Sequence, residues 1–426
     1  MSRKNVLIYP CGADNALEVY RSIRHSVHIN VVPASGRSDH SELIYEEPIE
    51  YLPYYNEEGF VEALNHLVDR NQIDLIFTTY DSVGLFLSSV VDRLKCKLVL
   101  SEHRTMKICR HKRLMYEALR DLGSCPQVYD DLDSGIVYPI FAKPDVGEGS
   151  RGTHYVVDRA QHSELKEQHR DLVFVEYLPG KEYTIDCFTD RHGKLLFAGA
   201  RERVEMRMGM SFRARSVKER EAFDRIAAEI NERIKFRGLW FFQVKEDAEG
   251  RLKLLEVAAR AASTMGYFRH KGVNLPLLSV FDALDMDVKI NENTYDVELF
   301  RSTQNRYKYA FTYNKIYLDL DDTLIIDGKV NKDVISLVYQ CVDAGKQVHL
   351  ITKHEFDVHE TLRRHRIAPE LFESIVHVPM ADRKADHIDP AGAIFIDNWY
   401  KEREEVRDKH GIPVFDVDTV PSLNHG

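Results

Sequence analysis

Nowhere does the 426-residue chain run apolar for the ~18 residues that a bilayer-spanning helix needs. Its first ten residues carry charge and only a short apolar stretch, which reads as an opening β-strand and not as a secretion signal. The chain is therefore expected to be soluble and cytoplasmic. Cysteine is sparse: Cys11, Cys96, Cys109, Cys125, Cys187 and Cys341 are scattered, with no C-x-x-C pair and no Cys/His cluster at zinc spacing. They read as reduced, packed thiols, so disulfide-framework and structural-zinc classes fall away. Basic charge is not in excess either. Lys and Arg number 58 against 68 Asp and Glu, a net charge of −10, which suits neither a sequence-blind grip on nucleic acid nor an anionic membrane. Internal repeats, low-complexity tracts and long charge blocks are also missing. Among 19 histidines no H-x-x-x-H pair has supporting carboxylates, and His354, His359, His365 and His377 read as surface or packed residues.

What is present is ordinary globular composition, 44% hydrophobic and 30% charged, long enough for two to four domains at roughly 150 residues each. Short apolar runs at 6–9, 28–32, 73–77 and 97–100 predict strands, and the spacing of Phe60, Val61, Leu64, Leu67 and Val68 predicts a helix between them. That is an α/β alternation with a parallel sheet. A helix is expected over 105–122, ended by Gly123. Strands follow at 138–143, 153–157, 172–176, 183–188 and 194–200, then a helix at about 217–235 and a hairpin of 240–244 with 253–257 across Asp247-Ala248-Glu249-Gly250. Residues 287–314 have weak periodicity and read as a connector. Alternation restarts at 316–320, with strands at 347–351, 375–378 and 393–396. Tyr51, Tyr54 and Tyr55 form an aromatic cluster better suited to core or interface packing than to base stacking.

The first candidate site lies around Gly147-Glu148-Gly149-Ser150-Arg151-Gly152, directly after Lys143-Pro144. Formally this is G-x-G-x-x-G, but a dinucleotide fingerprint needs a helix next and here a strand follows. A glycine loop between two strands can fold over a triphosphate, its bare N–H groups and Ser150 meeting phosphate oxygens. Taken alone it is equally an ordinary hairpin loop. Its neighbours add to it. Glu176-Tyr177-Leu178 leaves an apolar strand, and Gln243 and Glu256 sit on adjacent hairpin strands where both oxygens can reach one point, a donor set suited to Mg²⁺ on substrate phosphates.

In that order these segments resemble the ATP-grasp superfamily, of the carboxylate–amine ligase and carbamoyl-phosphate-synthase-like kind, over roughly residues 1–290. The resemblance implies ATP as cosubstrate with Mg²⁺, or Mn²⁺ in its place. Lys112 and Lys143 match the lysines that contact nucleotide phosphates, and Gly147, Gly149 and Ser150 belong to the flap. Glu176 and Leu178 match the adenine-reading hinge, and Glu182 the carboxylate that holds ribose hydroxyls. Gln243 and Glu256 match metal-ligand positions, and Arg260 the arginine that steadies an acyl phosphate. One departure stands out. Family members often carry Glu-x-Asn-x-Arg where this chain has Glu256-Val257-Ala258-Ala259-Arg260, and Ala258 cannot ligate a metal. Either a second ion is held otherwise, by Asp186 or Glu202, or one ion suffices. Arg201, Arg203, Arg207, Arg213 and Arg215 are candidates for an anionic substrate, with Arg201, Arg213 and Arg215 foremost; they read equally as a solvated charged strand and loop. The acceptor pocket is expected to be built from loops such as 201–215 and 261–272.

The second candidate site opens on Asp319-Leu320-Asp321-Asp322-Thr323, after an apolar strand. In an extended chain Asp319 and Asp321 project to the same side, so that one carboxylate can attack phosphorus and the other handle the leaving-group proton. Alone, D-x-D is as often a turn or a helix cap. Thr352, Lys384 and Asp397 lie where later strands end, the place at which open α/β sheets bind ligands. Over roughly 315–426 this resembles the haloacid dehalogenase-like (HAD) phosphatases. The resemblance implies Asp319 as nucleophile, Asp321 as general acid/base, Thr352 and Lys384 as the phosphate-binding pair, and Asp397 as a Mg²⁺ ligand with Asp319 and the backbone carbonyl of Asp321. Roughly thirty residues separate Asp319 from Thr352, which leaves no room for a large cap.

The fold class expected is α/β and α+β. An N-terminal Rossmann-like pre-ATP-grasp domain (1–104) precedes an ATP-grasp domain (105–290, lid about 126–175), a connector (291–314) and a capless HAD-like Rossmannoid domain (315–426). The expected function is bifunctional: an ATP-dependent ligase that activates a carboxylate as an acyl phosphate for an amine or similar nucleophile, fused to an aspartyl-phosphate phosphatase for a related phosphorylated metabolite. The rivals are a ligase with a catalytically silent regulatory HAD domain, an ATP-grasp phosphotransferase or kinase, and a non-catalytic ATP sensor. Partners are small molecules, with no nucleic acid and no membrane, and a homodimer is admitted.

Overall fold

The computed structural model describes residues 2–129, 135–147 and 149–423. Residues 130–134 and Glu148, both within the expected lid, lie outside the described residues. The chain divides into two compact units, Met1–Thr303 and Gln304–Gly426. Among the described residues no helix is long and apolar enough to cross a membrane, and the six cysteines are free thiols.

The first unit opens with a five-stranded, wholly parallel sheet in the order Glu50–Tyr51, Ile29–Ser35, Lys4–Tyr9, Leu75–Thr78, Lys97–Val99. Its two central strands are near-continuous apolar runs because helices cover both faces. Helix Phe60–Arg70 turns Phe60, Val61, Leu64, Leu67 and Val68 into the core at helical spacing. Of the three tyrosines expected to pack, only Tyr55 meets an aromatic partner, Phe86 at 5.8 Å, while Tyr51 and Tyr54 are about half exposed.

The expected helix over 105–122 is two helices, His103–Arg110 and Lys112–Ala118. The break at His111 has a physical cause in Asp145. Its carboxylate accepts from the backbone N–H of Arg113 at 2.8 Å and meets His111 Nδ1 at 2.8 Å, and its carbonyl accepts from the N–H of Lys112 at 3.1 Å. Asp145 thus satisfies orphan donors at the start of the second helix.

A four-stranded antiparallel sheet follows, in the order Val128–Tyr129, Leu172–Glu176, Ile140–Pro144, His154–Val156. Next to it in sequence is a six-stranded antiparallel sheet: Leu252–Ala258, Gly238–Glu246, Glu182–Thr189, Leu195–Arg207, Met210–Ser216, Glu298–Phe300. Two expectations fail here. The stretch 201–215 is a long hairpin and not a loop: Arg201 and Arg203 are buried on one face, while Glu202, Arg213 and Arg215 lie on the other. The expected connector contributes an edge strand, Glu298–Phe300, registered on Arg213–Arg215.

The second unit is a five-stranded parallel sheet in the order Ser374–His377, Gln347–Thr352, Lys315–Leu318, Ala393–Ile396, Val414–Phe415. Lys315–Leu318 and Ala393–Ile396 are buried at every position. Between Asp319 and Thr352 the chain forms only a two-stranded hairpin and helix Lys332–Asp343, with no cap domain.

Candidate functional sites

Lys112, whose backbone N–H is held by the Asp145 carbonyl, lines a cavity of about 270 Å³. Lys143, Gly147, Gly149, Ser150, Glu176, Leu178, Glu182, Gln243 and Glu256 line the same cavity. Its lining combines apolar Phe141, Val175, Leu178 and Leu254 with the two lysines and the glycine loop. The loop is a hairpin tip between antiparallel strands Ile140–Pro144 and His154–Val156. Gly149, Ser150 and Gly152 take positive φ there, +62°, +56° and +69°. Opposite them Gly209, also at positive φ, approaches so closely that a Cβ would lie 2.7 Å from the Gly149 carbonyl carbon.

Lys143 is nearly buried; its Nζ donates to the Leu255 carbonyl at 2.8 Å and lies 5.1 Å from the centre of the Tyr116 ring. Burial, and then the charge of Lys112, push its ammonium down to about 7. Burial also lowers Lys112, against the pull of Glu256. The Glu176 carboxylate accepts from the N–H of Gln127 at 2.9 Å, which ties the hinge strand to its neighbour.

A second cavity, about 280 Å³, shares Lys112, Gly147, Gly149, Arg203, Gln243 and Glu256 with the first. Arg260 lines it, with Nε 2.6 Å from Asp81 and its guanidinium 5.2 Å from the Phe241 ring centre. Arg201 lines it too: 1% exposed, paired with fully buried Asp186 through Nε at 2.9 Å, and with Nη1 lacking a hydrogen-bond partner. Arg213 and Arg215 do not reach it. They pair with Glu298 and Glu202 and line a separate groove, because strand alternation turns them to the other face. Asp81 went unnoticed in the sequence; it opens helix Asp81–Ser89, far from every motif.

Residues 168–305 match the model of a family described as "ATP-grasp in the biosynthetic pathway with Ter operon". Among solved structures, the chain is similar to a biotin carboxylase–ATP-analogue complex from Campylobacter jejuni (15% identity, 69% of this chain and 74% of that one, TM-score 0.57). It is also similar to the ADP complex of N5-carboxyaminoimidazole synthetase from Staphylococcus aureus (15% identity, 68% and 79%, TM-score 0.57). A third is an L-amino acid ligase from Bacillus licheniformis (18% identity, 67% and 75%, TM-score 0.53). Residues 168–305 thus match an ATP-grasp family model, and the first unit shares the fold of these structures. No curated protein matches the chain by sequence.

In the first unit Gln243 and Glu256 are cross-strand partners, so a metal in this cavity would have one carboxylate and one amide to draw on. The two further acids considered are out of reach. Asp186 is locked to Arg201, and Glu202 faces the opposite side with Arg215. Among the described residues no group of three or more His, Cys, Asp or Glu stands ready for a metal. The donors present fit one ion completed by phosphate oxygens, not two.

The second unit gathers Asp319, Thr352, Lys384 and Asp397 at the C-terminal ends of its parallel strands, each nearly or fully buried. Lys384 Nζ lies 2.7 Å from Asp319 and 2.7 Å from Asp397. Burial, and then Asp397, raise Asp319 more than Lys384 lowers it; burial raises Asp397 as well. Burial works against the Lys384 ammonium, but the two aspartates outweigh it and raise it. Asp397 also accepts from the N–H of Trp399 at 2.7 Å, and Thr352 Oγ1 is buried without a hydrogen-bond partner. One ammonium here faces two carboxylates, and the Thr352 hydroxyl is the polar group left to be completed by a ligand oxygen.

Asp321 behaves differently from expectation. The strand stops at Leu318, a turn follows and Asp322 takes φ +54°, so extended-chain alternation does not apply. Asp319 is buried, whereas Asp321 is half exposed and meets His354 Nδ1 at 2.9 Å. The side chain of His354, read from sequence as a surface or packed residue, is 8% exposed and also bonds Thr361 Oγ1 through Nε2 at 2.8 Å.

Proposed function

We propose that the chain is a bifunctional enzyme: an ADP-forming carboxylate–amine ligase in its first unit and an aspartyl-phosphate phosphatase in its second. The ligase reading rests on one observation above all. The cavity holding Lys112, Lys143, the glycine loop, Glu182 and Glu256 shares a wall with a second cavity rich in arginine. A nucleotide in the first would present its γ-phosphoryl to an anionic acceptor in the second. The two similar structures named for ligase or synthetase chemistry, an L-amino acid ligase and N5-carboxyaminoimidazole synthetase, point the same way.

Each residue then has a task. Phe141, Val175, Leu178 and Leu254 sandwich a flat base, and the hinge backbone at 176–178 reads its edge. Lys112, Lys143 and the loop N–H groups neutralise phosphate charge. Arg201 Nη1 and Arg260 hold the acceptor carboxylate, whose oxygen attacks phosphorus while ADP leaves. The amine then displaces phosphate from the acyl phosphate to give an amide. Mg²⁺ or Mn²⁺, held by Glu256 and phosphate oxygens, would add charge neutralisation.

In the second unit Asp319 attacks a phosphomonoester, Thr352 and Lys384 hold its oxygens, and Asp321 protonates the leaving alkoxide. Asp397, Asp319 and the Asp321 carbonyl would hold a divalent ion that neutralises phosphoryl charge. The metabolite is one related to the ligase's substrate or product.

The test has two arms on the full chain. ADP formation that needs both a carboxylic acid and an amine, and vanishes in Lys143→Ala, supports the ligase; ADP formation with an alcohol or phosphoacceptor alone makes it a kinase. Phosphate release from a generic aryl phosphate that Asp319→Asn abolishes supports the phosphatase. No release by the wild type leaves the second unit a regulatory module.

A further inference from the structure

Arg203 sits where the two cavities of the ATP-grasp domain meet, and it is 9% exposed. Its Nη1 donates to the Glu182 carboxylate and, at 3.0 Å, to Gln243 Oε1; its Nη2 donates to the Gly209 carbonyl at 2.6 Å. The guanidinium therefore already engages one of the two oxygens that a metal between nucleotide and protein would use. Three other routes to a second ion are closed. Ala258 offers no ligand atom, Asp186 is neutralised by Arg201, and Glu202 lies on the opposite face.

We infer that Arg203 replaces a second metal ion: the site works with one divalent cation at Glu256, and the guanidinium supplies the other positive charge facing the moving phosphoryl group. The inference rests on the nucleotide-site reading above. The charge logic is direct. In the transfer the bond from the β,γ-bridging oxygen to γ-phosphorus breaks, and its electron pair stays on ADP. A new bond forms from the acceptor carboxylate oxygen to the same phosphorus. Negative charge spreads over the phosphoryl oxygens at the mouth between the cavities. A planar guanidinium presents a fork of donors to such oxygens; here Nη1 is committed to Glu182 and Gln243 and one Nη2 hydrogen to Gly209, which holds the group rigid before any nucleotide arrives and leaves Nε–H and the second Nη2 hydrogen for phosphoryl oxygens. A dication ligated by Gln243 Oε1 would have to share that oxygen with a guanidinium, like charge beside like charge. Arg203 is thus a catalytic residue for the ligase step, and its pairing partners Glu182 and Gln243 are positioning residues for it.

The experiment counts metal. The full chain is loaded with Mn²⁺ and a non-hydrolysable ATP analogue, and bound Mn²⁺ is measured by electron paramagnetic resonance. Ions held without nucleotide are subtracted, which removes any contribution from the second unit. The expected result is one Mn²⁺ per analogue bound. In Arg203→Met/Ala258→Asn, which removes the guanidinium and restores a ligand, the count rises to two. Arg203→Met alone lowers the kcat of ADP formation on the order of 10²-fold, and the added Ala258→Asn recovers part of it. Two Mn²⁺ per analogue in the wild type overturns the inference while the nucleotide site stands. Failure of the wild type to bind the analogue at all overturns the site and the inference together.

Discussion

Lys143 donates a hydrogen bond to the carbonyl oxygen of Leu255, in a wall where burial and Lys112 hold the ammonium down at about 7. Folding thus releases a proton from this group between about pH 7 and its ordinary range near 10.5. The folded chain is penalised most below the depressed value, and the penalty fades as pH rises. A triphosphate reverses the depression, because its charge favours the ammonium. Nucleotide binding should therefore take up a proton. Calorimetry at pH 8 in two buffers of different ionisation enthalpy should show an uptake of roughly 0.9 proton per nucleotide, and affinity should fall as pH climbs above 7. In Lys143→Met the uptake should vanish. An uptake unchanged by that substitution would assign the proton to another group.

The Arg201–Asp186 pair is fully buried, and its two members are unequal in replaceability. Arg201→Met leaves a carboxylate with no counter-charge in the sheet core and should destabilise the chain by roughly 3–5 kcal/mol. Adding Asp186→Leu removes the stranded charge and should recover most of that loss, though not substrate binding, which loses Arg201 Nη1 in both. Urea titrations of the single and double variants measure the first effect, and the KM for the acid substrate measures the second.

Gly209 is a sharper probe of the nucleotide lid. It combines a positive φ of +75° with a Cβ clash at 2.7 Å from the Gly149 carbonyl carbon. Gly209→Ala should push the 203–212 hairpin tip off the glycine loop. The strain at a surface turn is modest, about 1 kcal/mol, so stability should barely change, whereas the KM for ATP should rise several-fold.

These residues differ in how far sequence reveals them. Lysines and glycines that touch phosphate announce themselves by type, so Lys112, Lys143 and the 147–152 loop could be picked out, and the apolar runs that became central strands were equally plain. Arginines are harder, because a guanidinium serves a site or a surface equally well. Nothing in the sequence separates Arg203 from Arg213 and Arg215. Once the 201–215 segment is seen as a hairpin, period-two alternation turns Arg201 and Arg203 inward and leaves Glu202, Arg213 and Arg215 outside. Asp81 and His354 carried no local signal at all. One meets Arg260 across 179 positions, and the other meets Asp321 across 33, so only the fold brings them into play.

His354 offers the most informative test of the second unit. Its Nδ1 lies 2.9 and 3.0 Å from the two Asp321 oxygens, and its Nε2 lies 2.8 Å from Thr361 Oγ1. The ring is buried and held at both nitrogens, so it can fix the direction in which the half-exposed Asp321 carboxylate points. In the phosphatase mechanism proposed above, Asp321 would hand a proton to the leaving group, whereas Asp319, Thr352 and Lys384 would hold the phosphoryl group itself. Loss of His354 should therefore act on turnover and spare binding. With an aryl phosphate, His354→Ala should lower kcat by roughly 10- to 100-fold at nearly constant KM. Because poor leaving groups need the proton more, the loss should be larger with an alkyl phosphate than with a nitrophenyl one. His354→Asn, whose amide can still donate to Asp321, should recover much of the rate. A parallel rise in KM, or equal losses for both leaving groups, would show instead that His354 supports the phosphate nest and not the proton donor.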